Sequence, residues 1–192
     1  MDQMRMSRAA HRLWGRLDEN EVLHAAPRFA AELAARCHGT LELRADAVSG
    51  WSFGQQLEHL YRTSHYVLDH LSEAMASDGS DGRMNLLGHA LMTAGFIPRG
   101  LFKVIPELRP TTGNEAVIRP LKDSLEARLG SLEWSLRQIN AHNGRSRHPR
   151  MRHLLANQWL FFLDVHHRHH LAIMHDLVTA AGKAPGVRSA VA

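Results

Sequence analysis

Two histidines four residues apart, His166 and His170, stand in the middle of an otherwise apolar helical stripe of Leu155, Trp159, Phe162, Leu163, Ile173, Met174 and Leu177. Residues at this spacing lie about 40° apart around a helix axis and about 6 Å apart along it, so both imidazoles face one side. Burying imidazoles among apolar neighbours is costly without partners, and a divalent cation held by neutral imidazoles removes that cost. His169 borders the same stripe and is placed to replace or support a ligand. His167 falls on another face, beside Leu160, Asp164 and Leu171, and His175 carries no separate signal.

A catalytic site for zinc or another borderline divalent ion takes three protein ligands and leaves a position open. The third ligand must therefore come from another segment. His59, His65, His70 and His89 are the candidates, and spacing does not choose among them. The helical wheel turns His59 away from Leu57, Leu60 and Leu68, which counts against it unless the site opens at an edge of the fold. Zinc suits such ligands best, with nickel, iron and manganese as alternatives.

These residues belong to a wider excess, for the chain carries 15 histidines in 192 residues. Eight of them, His142, His148, His153, His166, His167, His169, His170 and His175, fall near the C-terminus. Length and a 44% hydrophobic content indicate one domain, expected as an arm over 1–17, a bundle over 18–180 and a flexible tail over 181–192. A chain of this size buries enough surface to fold without a metal, so a metal would serve function. The single cysteine, Cys37, cannot form an internal disulfide and reads as a packing residue, which fits a reducing compartment. No apolar run is long enough to span a bilayer, and the first residues do not form a signal-peptide core, so a cytoplasmic protein without a membrane partner is expected.

Net charge +4 and a pI near 9.8 raise the question of nucleic acid. The one basic concentration, Arg145, Arg147, Arg150 and Arg152, has no aromatic residue interleaved for base stacking, so it reads as a solvated loop and nucleic acid is disfavoured.

The elements that must position the histidines are helical nearly throughout. Val22, Ala26, Phe29, Leu33 and Cys37 mark a helix from Asp18 to Cys37. Ser52 and Gln55 form a capping box that starts another near Phe53, ending at the Ser77–Gly82 turn cluster. A third fits Met84 to Phe96 with Leu87, Leu91 and Ala94 inward, followed by an ordered crossover over 98–113. A fourth is expected over 119–140 with Pro120 in its first turn, and the last over 154–180. With no sustained strand pattern, the fold class is all-α, an antiparallel four-helix bundle with one additional short helix.

Several of these residues resemble the DinB-like superfamily of metal-binding four-helix bundles, in particular a poorly characterised bacterial subgroup. The similarity lies in Trp51-Ser52-Phe53-Gly54-Gln55-Gln56-Leu57-Glu58-His59-Leu60, in His148-Pro149 followed by Gln158-Trp159 and His166-His167-Arg168-His169-His170-Leu171, and in Pro98-Arg99-Gly100. The resemblance implies that His59, His166 and His170 bind the ion. The chain departs from it at Leu155-Ala156-Asn157, where a Thr-Pro-acid cap of the last helix is usual, and at Arg152, where a glycine is expected.

The resemblance also implies a metal-dependent enzyme on small molecules: a thiol S-transferase that activates a low-molecular-weight thiol against an electrophile, or a hydrolase using metal-bound hydroxide. A homodimer is compatible with it. The alternative is a non-catalytic bundle that binds a metal or a partner. A ferritin-like di-metal site, suggested by Glu21-x-x-His24 and Asp164-x-x-His167, fails for want of further inward glutamates. No phosphate loop, nucleophile elbow, dinucleotide fold or HExxH motif is present. No general acid or base is assigned, and Glu58 and Asp164 read as solvated surface charges.

Overall fold

A computed structural model describes residues 40–79 and 82–182. The arm over 1–17, the helix expected from Asp18 to Cys37 with Cys37 itself, and nearly all of the tail lie outside the described residues. Within them the chain is mostly helical, with one small antiparallel sheet. No helix there is long and apolar enough to cross a membrane.

Helix α1 (Phe53–Ala76) begins where the sequence places it. Ser52 Oγ accepts from the Gln55 amide at 3.2 Å and Gln55 Oε1 accepts from the Ser52 amide at 3.0 Å, so two donors left orphaned by the first turn are satisfied reciprocally. Helix α2 (Leu86–Ala94) is capped by Asn85 and closed by Gly95 in the left-handed conformation. After the crossover come α3 (Glu115–Gly130), the short α4 (Leu136–Ala141), the hairpin β1 (Arg145–His148) and β2 (Arg152–Leu155), and finally α5 (Ala156–Gly182).

The core lies between α1 and α5, where Leu57, Leu60, Leu68 and Leu71 share one buried cluster with Trp159, Leu160, Leu163, Met174 and Leu177. Each such side chain contributes about 1.5–3 kcal/mol by leaving water. Helix α3 packs on α1 as well, bringing Ile118 and Leu125 into the same core. The N-terminal turns of α1 are therefore covered on more than one side, and from Phe53 to Leu60 only Gln55 retains appreciable exposure.

Three expectations are corrected. The helix expected over 119–140 is two helices. Capped by Asn114, α3 starts four residues earlier than expected, so Pro120 stands inside the helix on its exposed side, and a second capping box, Ser135 with Gln138, restarts the chain as α4 after an interruption at 131–135. In α2, Leu87 and Ala94 are exposed rather than inward. The face that packs is set by Gly88, where a Cβ would collide with the Met84 side chain and lie 3.0 Å from Met151 Cβ.

The arginine-rich stretch is not a loop but the β1–β2 hairpin, paired Arg145 with Leu155, Ser146 with Leu154, Arg147 with His153 and His148 with Arg152. Its inward residues include Ser146, His148 and Leu154, a mixture with no apolar alternation to announce a strand. Ser146 Oγ donates to the His70 carbonyl at 2.6 Å and fixes the hairpin against α1. Arg152, at φ 68°, sits beside the hairpin turn, away from the cap of α5; there the Leu155 amide donates to Gln158 Oε1 at 2.9 Å.

Candidate metal centre

Helix α1 supplies His59 and helix α5 supplies His166 and His170, one turn apart on the face toward α1. All three are buried, and their ring centroids stand 5.0 Å (His59 to His166), 4.6 Å (His59 to His170) and 4.5 Å (His166 to His170) apart. One ring nitrogen from each can be chosen so that all lie within 4.8 Å of one another, a group that could hold a metal ion. The wheel objection to His59 does not apply, because this end of α1 is buried on more than its leucine face. His65, His70 and His89, the other candidates, stand outside the group: His65 bonds to the Leu121 carbonyl and meets Arg128, while His70 pairs with Glu73 and stacks on Trp159.

Hydrogen bonds orient two of the rings and set the tautomer of one. Nδ1 of His59 lies 2.7 Å from the Leu108 carbonyl, an acceptor only, so Nδ1 carries the proton and Nε2 keeps its lone pair. Nδ1 of His170 lies 2.6 Å from Gln56 Oε1, and Gln56 Nε2 donates to Ser49 Oγ at 2.8 Å. This is the arrangement of a metal-ligating histidine, whose second nitrogen donates to an oxygen that orients the ring.

His166 completes the set differently. Its Nε2 is 3.1 Å from Nε2 of His59, and its Nδ1 is buried with no partner. A cation facing the three lone pairs would take the place of the His59–His166 contact and leave the proton of His166 on Nδ1, which has no partner among the described residues. The donor set therefore fits a divalent ion. Burial pushes the protonation of all three rings below the ordinary histidine range, and for His166 and His170 the neighbouring histidines push it further. They are neutral at neutral pH, as ligands must be.

Glu58 is not the solvated charge expected. It is fully buried, and its carboxylate accepts from the Thr111 amide at 2.9 Å, from Thr111 Oγ1 at 3.0 Å, from the Gly113 amide at 2.9 Å and from Arg62 Nε at 2.8 Å. Burial alone would raise its pKa, but these bonds together hold it below the usual glutamate value. Gly113, at φ 65°, meets Gly54 so closely that a side chain on either would strike backbone. Glu58 thus anchors the crossover to α1, and the same crossover carries Leu108 to His59. Asp164 is half-buried and pairs with Arg168 at 2.7 Å.

A cavity of about 460 Å³ opens beside the three histidines, with Trp51 on one side, its ring 5.1 Å from that of His59 and stacked 6.4 Å from that of His170. His169 lines the cavity with its ring 4.9 Å from His170 and bonds the Ile97 backbone; it is a neighbour of the group and not a member. His167 faces elsewhere, as its register indicates, buried against Ser64 Oγ at 3.0 Å. His148 holds the hairpin turn, its Nδ1 accepting from the Arg150 and Met151 amides, and also lines the cavity.

No sequence pattern assigns a role to Gln56 or to the Leu108 carbonyl. Nothing in the sequence marks a main-chain carbonyl 49 positions away as a histidine's partner. Comparison with known proteins finds no matching family model, no matching curated protein and no matching solved structure.

Proposed function

We propose that His59, His166 and His170 bind one divalent ion, zinc first, with nickel, iron or manganese as alternatives, and that the protein is a metal-dependent enzyme acting on a small molecule. The observation that carries this is the convergence of three buried neutral imidazoles, two with Nδ1 already committed to an oxygen. The similarity to the DinB-like superfamily supports the same three ligands. A bound divalent ion would supply Lewis acidity, lowering the pKa of a thiol or a water so that the nucleophile exists at neutral pH.

The chain's own residues supply the rest. Leu108 and Gln56 orient His59 and His170, and the buried position of the three rings limits access of bulk water. The cavity beside them provides room for an electrophile. We favour a thiol S-transferase using a low-molecular-weight thiol, with a hydrolase as the second chemistry of the same site. A non-catalytic metal-binding bundle is the competing reading, favoured by one observation: among the described residues no carboxylate lines the cavity to act as a general base.

The test is conjugation of bacterial thiols to an electrophilic fluorophore, together with ester hydrolysis, before and after chelation. Activity that disappears with the metal and returns on adding zinc or nickel is expected. Activity that survives complete metal removal would overturn the mechanism, and no activity in either assay with metal bound would favour the non-catalytic reading.

A further inference from the structure

We infer that the cavity takes an anionic ligand, a small molecule with an apolar body and a carboxylate at its outer end received by Lys103 and Arg109. The inference deepens the proposed function and rests on it for one of its two supports.

The first support is charge balance at the inner end. Three neutral imidazoles leave a divalent ion with its full charge, and a buried charge is costly unless matched. No aspartate or glutamate among the described residues lines the cavity. Glu58, adjacent in sequence to His59, is consumed by Arg62, Thr111 and Gly113. An uncompensated cation there would favour an anionic over a neutral ligand anywhere in the cavity, and the wall decides where the ligand's charge sits.

The second support is the cavity wall and is independent of any metal. Its apolar part includes Leu91, Ile97, Phe102, Val104, Ile105 and Ile173. Its charged residues among those described are Lys103, Arg109 and Arg150, all cations. Arg150 is fixed, donating from Nη2 to the Lys103 carbonyl at 2.6 Å with its guanidinium 5.6 Å from the centre of the Phe102 ring. Lys103 and Arg109 are exposed and have no acidic partner among the described residues, which leaves both free to meet an anion. A volume of about 460 Å³ suits a small molecule and lies within the range of small-molecule sites.

The experiment measures binding of 4-phenylbutyrate and of its uncharged isostere 4-phenylbutyramide by calorimetry, using zinc-loaded and chelator-stripped protein and the double variant Lys103→Glu/Arg109→Glu. Both substituted residues are exposed, so the variant is expected to fold, which circular dichroism verifies. The carboxylate should bind roughly three- to tenfold more tightly than the amide in both metal states, as expected for partly exposed ion pairs, and the charge-reversed variant should lose that preference. A preference that survives charge reversal and vanishes on stripping would place the anion on the metal and overturn the inference while sustaining the metal site. A preference absent from the native protein in both states would overturn the inference outright. Failure of the metal reading is distinguished by the zinc content of the loaded sample, because the rim preference does not depend on it.

Discussion

Nδ1 of His59 donates to the main-chain carbonyl of Leu108 across 2.7 Å, and this one bond decides which nitrogen of the ring remains able to bind an ion. Leu108 lies in the 3-10 turn Pro106–Leu108 of the crossover, and the crossover is held to α1 by Glu58, the residue before His59. Ligand orientation and crossover anchoring are thus two ends of one short structural unit.

Gln56 provides the corresponding restraint for His170. Gln56→Ala should weaken zinc binding about 10- to 100-fold, the usual cost of losing a partner that orients a ligand, while the helical content is unchanged. Gln56→Glu should retain native-like affinity, because a carboxylate accepts from Nδ1 more strongly. Competition against a chromophoric chelator measures both, and equal affinities for all three proteins would show that Gln56 plays no part.

Glu58→Gln replaces a carboxylate that accepts from four donors with an amide that has one oxygen and two donors of its own. The substitution should destabilise the fold by about 1.5–3 kcal/mol, the range for hydrogen bonds to a charged group. Urea denaturation reads this directly. Zinc affinity should fall with it, because the crossover that carries Leu108 is loosened.

Acid should destabilise the metal-free protein in two stages. Burial lowers His148 and His167 to about 3, whereas the unfolded chain titrates its histidines near 6.5. Between these values the unfolded state binds the extra protons, so stability is complete above about 6.5 and declines as pH falls below it. Glu58, also lowered, adds a second loss once pH drops below the unfolded glutamate value of about 4.3. Urea midpoints at pH 7.5, 6 and 5 in the presence of chelator should decrease in that order; a constant midpoint over this range would contradict the burial of the two histidines.

Arg152 occupies the left-handed region at φ 68°, where a side chain costs roughly 1–2 kcal/mol. Glycine relieves that strain but returns about 0.5–1 kcal/mol through its greater freedom in the unfolded chain. Arg152→Gly should therefore stabilise the protein by up to roughly 1 kcal/mol, seen as a higher thermal midpoint.

The parts of this structure that could be read from the sequence are those written in local patterns. The Ser52/Gln55 box marks the start of α1, and the position of His166 and His170 on an apolar stripe places them together facing the core. His59 as their neighbour came from resemblance, because the wheel considers one helix face and cannot register that several elements cover the start of α1. The hairpin was hidden because strands reading RSRH and RHLL bury a serine and a histidine, held by the His70 carbonyl and by turn amides rather than by apolar alternation. The break at 131–135 is signalled by Ser135 and Gln138, a capping box set within a continuous leucine stripe.

The metal content of untagged protein, measured by elemental analysis beside His166→Ala and His170→Ala, tests the site most directly. Close to one divalent ion per chain is expected in the wild-type protein, falling to background in both variants while circular dichroism shows the helices retained. Sub-stoichiometric metal that neither substitution changes would contradict a metal centre at His59, His166 and His170.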